Sequence, residues 1–158
     1  MSFIKWLDDH IEEYALGILL IFMTIVMSIQ VIARYVFSYS LTWSEEMTRY
    51  MFIWSGFLSI GFGYKKGIAI KIEQIVNMLP KQIKKFVNII EKLTALVFFV
   101  YMVPFAYKFL QASIESGQVS PAMRLPMYFI QIAPLVGFTL TAIRVAEGLV
   151  NEFIAKSN

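Results

Sequence analysis

Between Tyr14 and Ala33 lie twenty residues without a single charge, most of them apolar. As a helix they extend about 30 Å, the thickness of a bilayer's hydrocarbon core, so this run reads as a transmembrane span. Composition extends the argument to the whole chain. Of its 158 residues 58% are hydrophobic and 16% charged, whereas ordinary soluble domains carry about 25% charged residues. A soluble fold of this size has too little interior to hide that much apolar surface. Asp8, Asp9, Glu12 and Glu13 precede the run with only Lys5 as a basic neighbour, and no small-x-small site follows it. It therefore reads as a retained span rather than a cleaved signal.

Residues 2–13 predict a short amphipathic helix ahead of that span. Phe3, Ile4, Leu7 and Ile11 recur at helical spacing, with Trp6 beside them as a membrane-interface residue. His10 stands among acids, a lone histidine where a metal site needs three or four ligands. Within the first span Thr24 and Ser28 can bond to their own helix, and Gln30 is expected to face protein rather than lipid. Arg34 closes the run, and Tyr35, Phe37, Tyr39 and Trp43 form an aromatic belt after it.

The second span is read at 43–64. Thr42-Trp43-Ser44-Glu45 fits a capping box with Thr42 as N-cap. Glu45, Glu46 and Arg49 then stand at the mouth of an apolar helix, where charge needs a partner or a task. Adjacent helical residues point about 100° apart, so the two carboxylates do not share one site. Three readings stay open. The group caps the helix and ties it to Arg34 across the hairpin, or it contacts a partner, or it moves protons or ions. The last is disfavoured because no acid inside the spans continues a relay. Further along, Ser55, Ser59 and Gly63 line one face, a small-residue stripe that lets another helix approach closely.

Lysines then crowd between the second and third spans: Lys65, Lys66, Lys71, Lys81, Lys84, Lys85 and Lys92, against Glu73 and Glu91. Ile72, Ile75, Val76 and Leu79 give this stretch an amphipathic helical pattern that Pro80 ends. A basic stretch also raises nucleic acid as a partner. The positive-inside rule explains it better, as a cytoplasmic segment lying on anionic headgroups. A third span is expected at 86–110, with Pro104 inside it and Lys92 and Lys108 snorkelling at its ends. A polar connection holding Arg124 leads to a fourth span at 125–147, with Pro126 in its first turn. Pro134 lies within this span, and Ala133, Gly137 and Thr141 form a second small-residue face.

The expected fold is thus an all-α integral membrane protein, one four-helix domain over 1–158. Both termini and the basic segment between helices 2 and 3 are expected in the cytoplasm. Membrane-interface residues are Trp6, Tyr39, Trp43, Lys65, Lys66, Lys84 and Lys85. No catalytic constellation emerges. Cysteine is absent and histidine occurs once, which excludes thiol redox chemistry and cysteine-ligated metal and leaves no histidine cluster for a haem or zinc centre. The chain is read as a non-enzyme with no cofactor or metal of its own.

Several stretches together resemble a known family. These are Ala33-Arg34-Tyr35-Val36-Phe37; Trp43-Ser44-Glu45-Glu46 with Arg49; Trp54 and the Gly/Ser-rich end of the second span; Ser120-Pro121-Ala122 with Leu125-Pro126-Met127; Pro134-Leu135-Val136-Gly137-Phe138; and Arg144. In this order they resemble the small membrane subunit of tripartite ATP-independent periplasmic (TRAP) transporters, the DctQ-like proteins. The resemblance covers nearly the whole chain. It implies an accessory subunit in the bacterial inner membrane, part of a sodium-driven uptake system for organic acids of the dicarboxylate or sialic-acid type. The implied partners are a large multi-span subunit, which carries the substrate and sodium sites, and a soluble periplasmic binding protein; nucleic acid is not among them. Arg34, Glu45, Glu46, Arg49 and Arg124 would then dock a partner or fix the hairpin. Where many relatives carry a histidine after the second span, this chain has Gly67-Ile68-Ala69, so no role carries over to that position. The alternative is a self-contained four-helix multidrug-type exporter. It calls for an acid within the first span, and residues 14–33 contain none.

Overall fold

A computed structural model describes residues 2–67 and 80–154 of the protein. The amphipathic pattern read at Ile72, Ile75, Val76 and Leu79 lies outside them, as do the side chains of Trp6 and Lys85. Four helices make up the described architecture: α1 (Ser2–Val36), α2 (Thr42–Lys66), α3 (Lys81–Ser116) and α4 (Tyr128–Ile154).

The helices form a layer in the spatial order α1, α2, α4, α3. Among the described residues α1 packs on α2, α2 on α4, and α4 on α3. The two outer helices keep broad apolar faces uncovered, including Ile18, Leu20, Ile21 and Ile25 on α1 and Val97, Val100, Tyr101 and Phe105 on α3. The core lies along α4, where Ile130, Ala133, Val145 and Leu149 are buried, and it takes Phe99, Ala106 and Leu110 from α3. Among the described residues three helical stretches are long and apolar enough to cross a membrane: His10–Val36, Phe86–Ser116 and Tyr128–Asn151. Together with the all-helical fold they define an all-α membrane protein. The stretch expected to span at 43–64 is not among the three. Its 25-residue helix is long enough, but Glu45, Glu46, Arg49, Lys65 and Lys66 dilute its apolar character. Standing between α1 and α4, α2 has neighbours where the outer helices have open surface.

Some boundaries differ from the sequence reading. The amphipathic start and the first span are one unbroken helix, Ser2–Val36. The passage from acidic to apolar residues changes the surroundings, not the backbone, and no Pro interrupts the hydrogen-bond ladder there. At its end Ser38 takes a left-handed conformation (φ 51°), and the Tyr39 N–H turns back onto the Ala33 carbonyl at 3.0 Å. Leu41, not Thr42, is the N-cap of α2, and no side chain caps it. Ser44 Oγ instead donates to the Leu41 carbonyl at 2.6 Å. The expected capping box fails because Glu45 sits one position too late from this cap and bonds elsewhere. α3 extends to Ser116 and ends on Gly117, whose φ of 59° suits a residue without a Cβ. Pro126 precedes α4 rather than opening it, since it pairs with Val119 in a single β-bridge.

Two close approaches join α2 to α4. A Cβ built on Gly137 would lie 2.6 Å from the Phe57 Cβ and 2.9 Å from its carbonyl oxygen. One turn along, Gly61 faces Thr141, whose Oγ1 donates to the Gly137 carbonyl at 2.7 Å. Ala133, Gly137 and Thr141 are all buried at this contact. Ser55, Ser59 and Gly63 lie on a different side of α2. The two hydroxyls donate to carbonyls of their own helix, each at 2.8 Å, and a Cβ on Gly63 would meet nothing within 4 Å.

Candidate functional site: a loop clasp and a buried ion pair

At one end of the layer the connection 117–127 folds into a small hairpin. Ser120, almost fully buried, accepts the Leu125 N–H on its Oγ at 3.1 Å. Its own N–H donates to the Leu125 carbonyl at 2.8 Å, and its carbonyl accepts the Arg124 N–H at 3.1 Å. Met127 N–H to the Gln118 carbonyl at 2.9 Å closes the next rung. Arg124 carries the left-handed turn (φ 53°) and is exposed.

α2 holds this hairpin through three residues spaced by four: Glu46, Tyr50 and Trp54. Glu46 Oε2 accepts the backbone N–H groups of Ala122 and Met123 at 2.9 and 2.8 Å, and the Tyr50 hydroxyl donates to Glu46 Oε1. Trp54 Nε1 donates to the Phe129 carbonyl at 3.1 Å, pinning the first turn of α4. Helical periodicity puts the three side chains in one row. A carboxylate accepting two backbone donors is a charge-assisted arrangement stronger than a neutral one.

Glu45 points the other way, as adjacent positions on a helix must. Its Oε1 accepts from Gln30 Nε2 at 2.9 Å, joining α1 to α2. This corrects the expected clasp. Among the described residues neither Arg34 nor Arg49 forms an ion pair with Glu45 or Glu46. Gln30, buried one turn before Arg34 on α1, closes the hairpin in place of Arg34, whose side chain in the last turn of the helix is exposed. Arg34, Arg49 and Arg124 all stay exposed at this end, alongside the exposed Tyr39 and Trp43.

The opposite end carries a second polar set. Arg144 Nε donates to Glu12 Oε1 at 2.7 Å and Nη1 to Glu147 Oε2 at 2.9 Å. The Arg144 and Glu12 side chains are only 7% and 6% exposed. Lys66 pairs with Glu13 at 3.1 Å, and Lys92 donates to the Gly148 carbonyl at 3.3 Å. Lys84 lies on the first turns of α3, half-buried, and Lys65 is half-buried near the end of α2. These bonds tie α1 to α2, α1 to α4 and α3 to α4. Between the two ends the contacts are apolar and aromatic, with Phe57 and Phe99 on either side of Phe138 at centroid distances of 5.4 and 6.0 Å.

Sequence reasoning passed over Tyr50, Gln30, Ser120 and Glu12 as site residues. The spacing of Glu46, Tyr50 and Trp54 was the available signal for the clasp. For Glu12 and Arg144 there was none, since 132 residues separate them. Among the described residues no three His, Asp or Glu side chains gather where they could hold a metal ion.

The fold and these two polar sets define a helical membrane protein whose buried polar groups hold its own helices and loop together. Residues 23–154 match the model of the DctQ component of tripartite ATP-independent periplasmic transporters, and the chain belongs to this family. It is 26% identical over 153 residues to an isethionate TRAP transporter permease protein DctMQ of Oleidesulfovibrio alaskensis, a match covering 93% of this chain and 24% of that one. A C4-dicarboxylate TRAP transporter small permease protein DctQ of Vibrio cholerae is 28% identical, over 60% of this chain and 40% of its own. An ectoine TRAP transporter small permease protein TeaB of Halomonas elongata is 28% identical, over 82% and 66%. The chain thus spans less than two thirds of the length of each of these relatives or about that share. They are named as transporter permeases, not as enzymes.

Proposed function

We propose that this chain is the small accessory membrane subunit of a sodium-coupled TRAP uptake transporter for an organic acid, of the dicarboxylate or sialic-acid type. One observation carries the reading. The match to the DctMQ permease takes up nearly all of this chain but about a quarter of that protein. The remaining three quarters would correspond here to the large membrane subunit, which holds the substrate and binds the sodium ions. The apolar faces left open on α1 and α3 supply surface for that subunit and for lipid. The positive-inside rule directs the lysine-rich end, with both termini, to the cytoplasm of an inner membrane. The clasped hairpin then lies on the periplasmic side, where Arg34, Arg49 and Arg124 are offered to a periplasmic binding protein. The names of the relatives include isethionate, C4-dicarboxylate and ectoine, which fits substrate choice made by the other chains.

The test is extraction of a tagged chain in mild detergents. A much larger membrane protein should co-purify with it. Recovery of the chain alone in several mild detergents would overturn the proposal.

A further inference from the structure

The open faces of α1 and α3 differ in chemistry. Residues 14–33 of α1 carry no charge, and the helix contains no proline. Its Thr24 and Ser28 hydroxyls donate to the Leu20 and Thr24 carbonyls, each at 2.8 Å. A face whose polar groups are satisfied within its own helix can lie against hydrocarbon. The uncharged stretch of α3 is shorter, residues 93–107. It amounts to about 22 Å of helix, against a bilayer core of about 30 Å. Lys108 follows it, about 12 Å before the end of the helix at Ser116. Lys108 is exposed and forms no ion pair with a described residue. One turn earlier Pro104, also exposed, has no N–H to give the Val100 carbonyl. Tyr101, in the middle of the uncharged stretch, is 63% exposed, and its hydroxyl bonds to no described residue. The spacing of 101, 104 and 108 puts all three in one row on the helix.

We propose that this row of α3 is the seam on which a membrane helix of the large subunit seats, and that the outer face of α1 meets lipid. The seated helix presents a carboxylate to Lys108 and polar side chains to the Tyr101 hydroxyl and the Val100 carbonyl. Charge complementarity and depth select this occupant. A cation or a freed carbonyl facing hydrocarbon is costly, whereas polar side chains between membrane helices bond across the contact. A lipid phosphate reached by a snorkelling Lys108 satisfies that side chain alone. Tyr101 lies about 10 Å deeper along the helix, so its hydroxyl and the Val100 carbonyl would still face acyl chains. The inference rests on the transporter reading, from which it takes the large subunit.

Photocrosslinking in membranes that hold the assembled transporter tests it. With p-benzoylphenylalanine in place of Phe105, 49% exposed on α3, light should join the chain to the large subunit. The same residue in place of Phe22, 43% exposed on α1, should give about tenfold less of that adduct. Lys108→Gln should lower recovery of the large subunit by about tenfold, the loss of one desolvated charge pair, and Lys108→Arg should restore it. An adduct from Phe22 that equals or exceeds the one from Phe105 would overturn the proposal. So would unchanged recovery with Lys108→Gln, the result expected of a lysine that only snorkels to lipid phosphate. The crosslinks leave Lys108 in place, so they decide the matter even if its variants fail to fold. If the unaltered tagged chain recovers no large subunit, the transporter reading fails and this inference with it. If it recovers one and Phe105 gives no adduct, this inference alone fails.

Discussion

Glu12 and Arg144 meet at 2.7 Å with both side chains buried, which fastens the start of α1 to the far part of α4. Among the described residues the helix that α1 packs along is α2, so the pair adds a second attachment, to α4. Removing one partner of a buried pair leaves an uncompensated charge and costs about 3–5 kcal/mol. Arg144→Leu is therefore expected to lower thermal stability in detergent markedly. The double variant Glu12→Leu, Arg144→Leu should recover most of that loss, since two apolar side chains remove both charges together. A double variant no more stable than the single one would contradict this.

Glu46 and Glu45 serve different contacts, and exchange rates can separate them. Glu46→Ala deprives the Ala122 and Met123 amides of their acceptor. Their hydrogen exchange should quicken by about tenfold, the loss of roughly one net hydrogen bond to a charged group. Glu45→Ala should leave those two amides unchanged and loosen the α1–α2 hairpin at Gln30.

The two small-residue faces should respond in opposite ways. Gly137→Ala drives a Cβ into the Phe57 backbone, and overpacking of this kind costs about 1–3 kcal/mol. Gly63→Ala meets only open space and gains helix propensity, by up to about 1 kcal/mol. Thermal melts of the two variants in one detergent should shift in opposite directions.

Arg49→Glu tests the docking role. Among the described residues Arg49 forms no ion pair with Glu45 or Glu46, so its reversal should change stability by no more than about 0.5 kcal/mol. In the assembled transporter, uptake should fall while co-purification of the large subunit persists. Normal uptake would remove Arg49 from the docking surface.

The fold class was legible because it rests on one-dimensional patterns. Uncharged runs such as 14–33 carry their own membrane signal, and each of the four stretches read as spans falls on a helix. Boundaries were less legible where the pattern changed solvent but not backbone. Residues 2–13 and 14–36 differ in polarity yet share one hydrogen-bond ladder, and Pro126 suits a first turn as well as the bridge it forms. The angular divergence of Glu45 and Glu46 also followed from the sequence, because helix geometry requires it.

The partners of those side chains did not follow. Sequence spacing favours nearby pairs such as Glu46 with Arg49, and the folded chain gave Glu46 the remote Ala122 and Met123 amides beside the nearby Tyr50 hydroxyl. Backbone donors of a tight hairpin become available only after the hairpin folds and is brought against α2. In the same way Gln30 and Glu45, or Glu12 and Arg144, meet only because the helices align side by side at fixed heights. By itself the sequence determined that the chain is helical, belongs in a membrane and is asymmetric in charge, since those properties follow from local composition and periodicity. Tertiary structure alone decided the order of the helices in the layer and which polar groups are consumed within it, since both depend on packing between segments remote in the chain.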